Sequence, residues 1–447
     1  MRIGHGYDVH RIKEGRPLVL GGVTLDCPFG LDGHSDADVL THAVVDALLG
    51  AAALGDIGQM FPDSDPQYKG ISSLRLLETA YAAVRRAGYA LVNLDATLLC
   101  QRPKLAPSIL AMREKLAAAC GMDAIHSDPN GRADIDYDKC VSCGQCLVNC
   151  PFGAIADKSQ IFQMIRAIQA GERVYAAVAP AFVGQFGPKV TPGKLRAAMK
   201  QLGFADIIEV AIGADLCAAQ EAEDFVKEVP EKLPFMATSC CPAWSVMAKK
   251  LFPEQANCIS MALTPMTLTA RLIKHHQPGA KVAFIGPCAA KKLEAMRRTV
   301  RSEVDFVLTF EEMAGIFEAR HIDVNTLKED PHGVNDASAD GRNFAVSGGV
   351  AQAVVNVIKE KYPDREIKVA NAEGLSECRK LMMMAKAGKY NGYLLEGMAC
   401  PGGCVAGAGT MQSIKKSSVA VNMYAKQAEH QVATGTHHVA ELDKLVD

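Results

Sequence analysis

The sequence predicts an α/β fold for most of this 447-residue chain, and three observations support that prediction. From about residue 173 onward, short apolar runs with strand character alternate with helical patterns, as in sheets flanked by helices. Hydrophobic residues make up 49% of the chain and charged residues 22%, which is enough to bury ordinary cores. Several cysteines stand where the strand-like runs end, and ligands in such folds bind at the carboxyl ends of strands.

The apolar runs predict strands at 174–178, 207–210, 235–237, 281–285, 305–308, 368–370 and 392–395. Helical periodicity predicts helices at 193–202, 222–227, 245–251, 264–275, 310–320, 350–361 and 376–387.

Composition excludes several classes of partner. The net charge of −2 gives no reason to expect nucleic acid or an anionic membrane. The start of the chain lacks the apolar core of a signal peptide, and no apolar run is long enough to span a bilayer. We therefore expect a cytoplasmic protein, in which clustered thiols are metal ligands rather than disulfides.

The 15 cysteines are unevenly spread. Residues 1–130 contain three, residues 140–150 contain four, and the others lie between 217 and 404. This asymmetry predicts that unlike proteins share one chain, with domains at 1–124, 125–165 and 166–447.

The amino-terminal domain contains a candidate metal site. Asp8 and His10 are two apart in a predicted strand, so their side chains face the same side. His42 lies on a predicted helix that Asp36 or Ser35 would cap. One carboxylate and two imidazoles suit a divalent metal such as Zn, Mg or Mn, although a single histidine is more often an ordinary polar residue.

Five stretches of this domain resemble 2-C-methyl-D-erythritol 2,4-cyclodiphosphate synthase, from residue 1 to about 119. They are Asp8-Val9-His10, Gly33-His34-Ser35-Asp36-Ala37-Asp38, Leu54-Gly55-Asp56-Ile57-Gly58, Phe61-Pro62-Asp63-Ser64-Asp65-Pro66 and Gln101-Arg102-Pro103-Lys104-Leu105-Ala106-Pro107. The resemblance implies an α+β domain in which Asp8, His10 and His42 bind the metal and His34 stabilises the transition state. It also implies substrate contacts through Ser35, Asp56, Ile57, Gly58, Phe61, Pro62, Asp63, Ser64, Asp65 and Lys104.

That family cyclises a cytidine-diphosphate methylerythritol phosphate, releases CMP and acts as a homotrimer. Its last strand and helix carry a Thr-Thr-Thr/Ser-Glu stretch, and nothing after Cys120 supplies one. We therefore expect a domain without its carboxyl-terminal part and without synthase activity, the alternative being a working synthase. Two origins stay open, a genuine fusion or a join that cut both partners.

A second motif follows the turn Asp128-Pro129-Asn130-Gly131. Cys140, Cys143, Cys146 and Cys150 have the two-two-three spacing of bacterial ferredoxins, and Pro151 follows the last of them. This spacing predicts a ferredoxin-like segment that binds one 4Fe-4S cluster.

The remaining cysteines of interest stand at predicted strand ends. Cys240 and Cys241 follow the run that ends at Ala237, Cys288 follows 281–285, and Cys400 follows 392–395 with Cys404 shortly after. The adjacent pair alone is typical of small buried hydrophobes, but the three later thiols favour a metal site.

Three ordered motifs resemble those of iron-only (FeFe) hydrogenase, and the resemblance spans about residues 125–430. They are Thr238-Ser239-Cys240-Cys241-Pro242-Ala243-Trp244, Gly286-Pro287-Cys288-Ala289-Ala290-Lys291-Lys292-Leu293-Glu294 and Glu396-Gly397-Met398-Ala399-Cys400-Pro401-Gly402-Gly403-Cys404. The resemblance implies a two-lobed α/β domain with an H-cluster. Its 4Fe-4S part would be held by Cys241, Cys288, Cys400 and Cys404. Cys404 would also bridge to a diiron subsite, whose CO, CN and dithiolate ligands come from hydrogenase maturation proteins.

By the same resemblance Cys240 is the proton-transfer thiol, and Lys291 donates a hydrogen bond to cyanide. Met398 keeps the site dry. Glu221, Ser260 and Asp224 continue the proton path, although each suits a plain surface position equally well. Gly286, where the family commonly has Met, and the run Gly407-Ala408-Gly409-Thr410 indicate a variant subgroup.

We therefore expect a hydrogenase that interconverts H2 with protons and electrons and exchanges the electrons with ferredoxin or a similar carrier. The alternatives are the cyclodiphosphate synthase and a non-catalytic H2 sensor. Cys240 argues against a sensor, because a scaffold needs no proton thiol.

Overall fold

The chain divides into two compact units. The computed structural model describes residues 4–87, 89, 102–103, 124–127, 133–149, 157–297, 300–332 and 336–446. The first unit comprises residues 1–136 and 149–156, and the second comprises residues 137–148 and 157–447. The predicted boundaries at residues 124 and 165 stay a prediction.

The described part of the first unit combines short antiparallel strands with helices. Its strands are β1 (Ile12–Glu14), β2 (Leu18–Leu20), β3 (Val23–Leu25), β4 (Phe29–Leu31), β5 (Ile125–Ser127) and β6 (Ala133–Ile135), paired as β1–β4, β2–β3 and β5–β6. Its helices are α1 (Val39–Ala52), α2 (Ile57–Met60) and α3 (Ser73–Arg86), with a 3-10 turn at Pro66–Tyr68. The apolar faces of α1 and α3 meet through side chains such as Val45, Leu49 and Leu76.

Two local predictions for this unit are wrong. Asp8 and His10 precede the first strand, which begins at Ile12, so no strand sets their direction. The cap of α1 is Asp38, whose Oδ1 accepts the Thr41 N–H at 3.1 Å. Asp36 instead accepts the N–H of Ser73 and is not free to cap α1.

The second unit is built of parallel strands and covering helices. Its strands are β7 (Val174–Val178), β8 (Asp206–Glu209), β9 (Met236–Ala237), β10 (Lys281–Gly286), β11 (Phe306–Thr309), β12 (Lys368–Glu373) and β13 (Tyr393–Met398). Its longer helices are α5 (Ile161–Gln169), α6 (Pro192–Leu202), α7 (Ala211–Glu228), α8 (Pro242–Leu251), α9 (Pro265–His276), α11 (Phe310–Ala319), α13 (Gly349–Lys361), α14 (Leu375–Lys386) and α15 (Ile414–Ala425). Short helices are α4 (Gln145–Asn149), α10 (Ala290–Met296) and α12 (Ala339–Asn343). The 3-10 segments are Pro180–Phe182, Pro253–Cys258, Val324–Thr326, Cys404–Ala406, Ala433–Gly435 and His437–Lys444.

Two parallel sheets organise this unit, which confirms the α/β prediction. One has four strands in the order β11-β10-β7-β8, and the other has three in the order β12-β13-β9. Each sheet packs against its own buried apolar cluster. Parallel strands bring their carboxyl ends to one edge of a sheet, and Cys241, Cys288 and Cys400 follow such strand ends.

Helix α7 is much longer than the predicted helix at 222–227. Its first half, Ala211 to Ala219, is buried on every side. A helix that is buried all round and almost entirely apolar has no 3.6-residue alternation to detect, so periodicity found only its amphipathic end. The missed half places Asp215 and Cys217 inside the core.

Within the described residues, we find no helix with both the length and the apolar character that crossing a membrane requires.

Candidate functional site

Four cysteines of the second unit lie after the ends of parallel strands. Three follow a strand within four residues, and the fourth comes four residues after the third. Cys241 follows β9 and is the N-cap of α8, and Cys288 lies between β10 and α10. Cys400 comes two residues after β13, and Cys404 begins a 3-10 turn. These four residues are called the thiol pocket below.

The thiols of the pocket lie within electrostatic reach of one another. Burial raises the pKa of Cys288 to about 11, and the neighbouring Cys241 adds to that rise. Burial also raises the pKa of Cys400 and Cys404, and both feel the charges of Cys241 and Cys288. Partly buried thiols that raise one another's pKa are poor solitary anions, but a metal centre binds them as thiolates. Four such thiols match the ligand number of a 4Fe-4S cluster.

Two glycines make the tight return between Cys400 and Cys404. Gly402 and Gly403 both have φ near +90°, a conformation that side chains strongly disfavour. A Cβ on Gly403 would also lie 2.7 Å from the backbone nitrogen of Ser347. The return therefore requires glycine at both positions.

Cys240 is buried and adjacent to the pocket. Its backbone carbonyl accepts a hydrogen bond from the Lys291 ammonium at 3.2 Å. Burial raises its pKa, and the nearest charges that act on it include Glu221 and Cys217. Its thiol is thus within electrostatic reach of the Glu221 carboxyl as well as of the pocket thiol Cys241.

Lys291 is held by a buried carboxylate. Its ammonium lies 2.7 Å from Glu294 Oε2, and both side chains are almost fully buried. The Thr264 hydroxyl donates to Glu294 Oε1 at 2.5 Å. Burial alone would lower the pKa of Lys291, but Glu294 raises it, so the lysine keeps its charge.

Glu221 is fully buried on α7, which excludes the surface alternative for this residue. Its Oε1 accepts the Ser239 N–H at 3.2 Å. Burial raises its pKa to about 7, although hydrogen bonds from the Ser239 N–H and the buried Ser260 hydroxyl oppose the rise. Asp224 lies one turn further along α7 and is only half-buried, and burial raises its pKa as well. The three predicted proton-path residues thus run from the interior towards solvent.

Met398 is buried at the end of β13, as expected for a dry wall. The Trp244 ring packs directly on the neighbouring Gly397, where a Cβ would come within 2.2 Å of the indole. The Trp244 indole N–H donates to the Thr238 carbonyl at 2.9 Å. These contacts close the apolar side of the site.

The described part of the ferredoxin-like motif lies beside the pocket. Ser142 donates its N–H to Cys140 Sγ at 3.4 Å. At Gly144, with φ +77°, a Cβ would lie 2.6 Å from Ala408 and 3.2 Å from Ala289. Cys143 is near enough to Cys400 to raise its pKa. Cys146 lies on α4, and Cys150 falls outside the described residues.

The amino-terminal site brings Asp8, His10 and His42 together. Asp8 Oδ2 lies 3.0 Å from His10 Nε2 and 3.0 Å from His42 Nδ1. In the described part of the chain this is the one group of three such donors within 4.8 Å of one another. The hydroxyls of Ser35 and Ser73 lie 3.0 and 2.8 Å from His42 Nε2 and orient its ring. The donor set and its spacing fit a divalent metal.

The other residues predicted for this unit surround that group unevenly. His34 Nε2 lies 3.0 Å from the Asp65 carbonyl. Asp56 caps α2, whose first two residues are Ile57 and Gly58. Phe61 packs in the core of the first unit. Asp63 and Ser64 are exposed, Pro62 is partly so, and Lys104 falls outside the described residues.

Sequence reasoning missed the supporting roles of Ser73, Thr264 and Glu294. The seryl pair before α3 is a detectable helix-start signal for Ser73. Thr264 and Glu294 are 30 positions apart, and only tertiary structure joins them.

Comparison with known proteins gives the following matches. Residues 172–408 match a family model described as "Iron only hydrogenase large subunit, C-terminal domain". Residues 1–126 match the YgbB family, and residues 132–155 match a 4Fe-4S binding domain.

Relatives of the first part are 2-C-methyl-D-erythritol 2,4-cyclodiphosphate synthases. One from Trichlorobacter lovleyi is 61% identical over 123 residues, which is 28% of this chain and 78% of the relative. One from Moorella thermoacetica is 62% identical over 122 residues, which is 27% of this chain and 75% of the relative. A solved FeFe-hydrogenase from Chlamydomonas reinhardtii shares the fold at 22% identity and a TM-score of 0.54, over 64% of this chain and 94% of that one.

Proposed function

Because this chain belongs to the iron-only hydrogenase large-subunit family and, through residues 1–126, to the cyclodiphosphate synthase family, we propose that it is a hydrogenase joined to a synthase-like unit. Its reaction is the reversible conversion of H2 into two protons and two electrons. The observation that carries the proposal is the fifth thiol: Cys240 is buried next to the pocket residue Cys241 in the chain and lies within electrostatic reach of the buried Glu221.

The thiol pocket would hold the 4Fe-4S part of an H-cluster, with Cys404 also reaching the diiron subsite. When bound, this group supplies the metal centre at which H2 is made or split. Hydrogenase maturation proteins would supply the CO, CN and dithiolate ligands. The charged Lys291, fixed by Glu294, provides a hydrogen-bond donor for an anionic ligand in this buried place.

The protein moves the protons. Cys240 takes or gives a proton at the reacting end, and Glu221 holds it next. The pKa of Glu221 at about 7 lets that carboxyl both bind and release a proton near neutral pH. Ser260 and Asp224 carry it towards solvent, and Met398 helps to exclude water elsewhere.

The electrons leave by the cysteine segment (residues 137–150). Cys140, Cys143, Cys146 and Cys150 would hold a 4Fe-4S cluster that exchanges electrons with ferredoxin or a similar carrier. Cys143 is close enough to Cys400 to act on its pKa, so this cluster would lie next to the thiol pocket. We place the reaction in the cytoplasm.

The test is H2 evolution by the full-length chain, matured in a host with hydrogenase maturation proteins and driven by reduced ferredoxin or methyl viologen. Cys240→Ala is expected to load iron normally and to lose most turnover. Cys217→Ala is the matched control, since this buried thiol is also near Glu221 but has no role in the path. Full activity of Cys240→Ala would refute the proton role, and loaded wild-type protein without turnover would favour an H2 sensor.

A second candidate function belongs to the first unit. The compact group of Asp8, His10 and His42, with His34 nearby in the chain, supports divalent metal binding and cyclodiphosphate synthase chemistry. There a metal would neutralise phosphate charge during cyclisation. The test is CMP release by the purified protein together with its size in solution, because the family acts as a homotrimer. Metal binding without CMP release would refute this activity.

A further inference from the structure

A lysine holds the chain where the cysteine segment begins. The Lys250 ammonium donates to the backbone carbonyls of Tyr137, Asp138 and Cys140, at 3.4 Å for the first and 3.1 Å for the last. Lys250 stands near the end of α8, the helix whose N-cap is Cys241. One short helix therefore joins a pocket cysteine to the carbonyl of the segment's first cysteine.

A second lysine holds the chain after the segment. Lys292 lies 2.8 Å from Asp157 Oδ2 and donates to the Lys158 carbonyl at 3.2 Å. Both oxygens of Glu312 lie 3.1 Å from the same ammonium. Lys292 belongs to α10, which begins two residues after Cys288, and its side chain is buried.

Both lysines lie on helices that follow pocket cysteines closely in the chain. Between them, Gly144 fits against Ala289 and Ala408 with no room for a side chain. The Lys250 ammonium has three backbone carbonyls as acceptors, and the Lys292 ammonium has two carboxylates as partners. The buried Lys292 ammonium has several acceptors and therefore one position. Lys250 is exposed, but its three carbonyl acceptors converge on one ammonium and so hold the start of the segment.

We propose that Lys250 and Lys292 are positioning residues that hold the cysteine segment against the thiol pocket and so set electron exchange between the two thiol sites. The inference rests on the proposed hydrogenase function. Electron exchange falls steeply with separation, and a segment tied at one end only would move away from the pocket. The described contacts of the two lysines are with backbone carbonyls and carboxylates, so both act through the chain that they hold.

The variants are matched to the two contacts. Lys250→Met removes the hold on the start of the segment, and Lys250→Arg keeps the charge and the donors. Asp157→Asn weakens the hold on the end while Lys292 keeps Glu312, which avoids leaving a buried lysine without an anion. Lys249→Met is the control, because Lys249 is the neighbouring lysine on α8 and its ammonium contacts Met261 Sδ instead.

The first measurement needs no diiron subsite. Full-length protein is reconstituted with iron and sulfide and reduced, and the magnetic interaction between its two 4Fe-4S clusters is read from the electron paramagnetic resonance spectrum. We expect the interaction in the wild type, Lys250→Arg and Lys249→Met. We expect it to weaken in Lys250→Met and Asp157→Asn, and to vanish in the double variant. Hydrogen exchange at residues 137–148 should rise in the same variants.

The second measurement is H2 evolution from reduced ferredoxin by matured protein. The Lys250→Met/Asp157→Asn double variant should lose rate at unchanged iron content, by up to about a hundredfold for a misplacement of about 1 Å. A wild type without any cluster interaction, or a double variant with the wild-type interaction, would overturn the proposal. Absence of H2 turnover in all variants would refute the hydrogenase function while the resonance result still decides the positioning role.

Discussion

The buried carboxyl of Asp215 should make the second unit less stable as the pH rises. Asp215 lies in the missed half of α7 with no exposed surface. Its Oδ2 accepts the Ser338 N–H at 2.9 Å, and the Ser338 hydroxyl contacts Oδ1. Burial raises its pKa from 3.8 to about 8; the Ser338 hydrogen bonds oppose the rise, and the charges of Glu209 and Asp340 add to it.

The sign follows from which state binds the proton. Between pH 4 and pH 8 the folded state keeps a proton on Asp215 that the unfolded chain has lost. The stabilisation is complete below the unfolded pKa and is lost as the pH rises through the folded one. A shift of about 4 units corresponds to about 5 kcal/mol, with a slope of about 1.4 kcal/mol per pH unit within that range.

The perturbation is Asp215→Asn, which keeps a carbonyl oxygen for Ser338 and removes the titration. The chain has a single tryptophan, Trp244, buried in the same unit, so its fluorescence reports the unfolding of that unit. We expect the urea-unfolding free energy of the wild type to fall between pH 5 and pH 8 relative to the variant, by about 1.4 kcal/mol per unit. Asp323→Asn, at an exposed aspartate, should run parallel to the wild type. Parallel curves for wild type and Asp215→Asn would refute the reasoning.

Three further predictions concern the site and its support. Gly397→Ala should cost about 1–3 kcal/mol and shift the Trp244 emission, because the new Cβ meets the indole; unchanged unfolding and emission would contradict this. Glu221→Gln should lower H2 evolution at least tenfold at normal iron content and remove the limb of the pH profile near pH 7; an unchanged profile would exclude Glu221 as the proton carrier. His42→Ala should abolish zinc binding by the first unit in calorimetry while H2 evolution stays at the wild-type rate; retained binding would show that another group holds the metal.

Local patterns predicted the strands of the second unit and the cysteines that follow them. β7 was predicted with its observed bounds, and β10 runs one residue beyond its predicted end. Runs of apolar residues that end at glycine, proline or cysteine carry this information in the order of the residues. Because the strands of each sheet are parallel, cysteines that follow the strands lie at the same edge of that sheet.

The supports of the site could not be predicted in the same way. Lys250 meets residues more than 100 positions away, and Lys292 does the same at Lys158. Nothing near a lysine in the sequence states which distant carbonyl it will bind. The choice of Asp38 over Asp36 as the cap of α1 likewise depends on Ser73, which competes for Asp36 only after the chain has folded.

The thiol pocket draws on both sheets of the second unit. Cys288 follows β10 of the four-stranded sheet, whereas Cys241 and Cys400 follow β9 and β13 of the three-stranded one. A cluster that bound all of them would therefore cross-link the two sheets. Once it is bound, separating the sheets would require breaking an iron–sulfur bond. Loading should thus slow hydrogen exchange in the strands that flank the pocket.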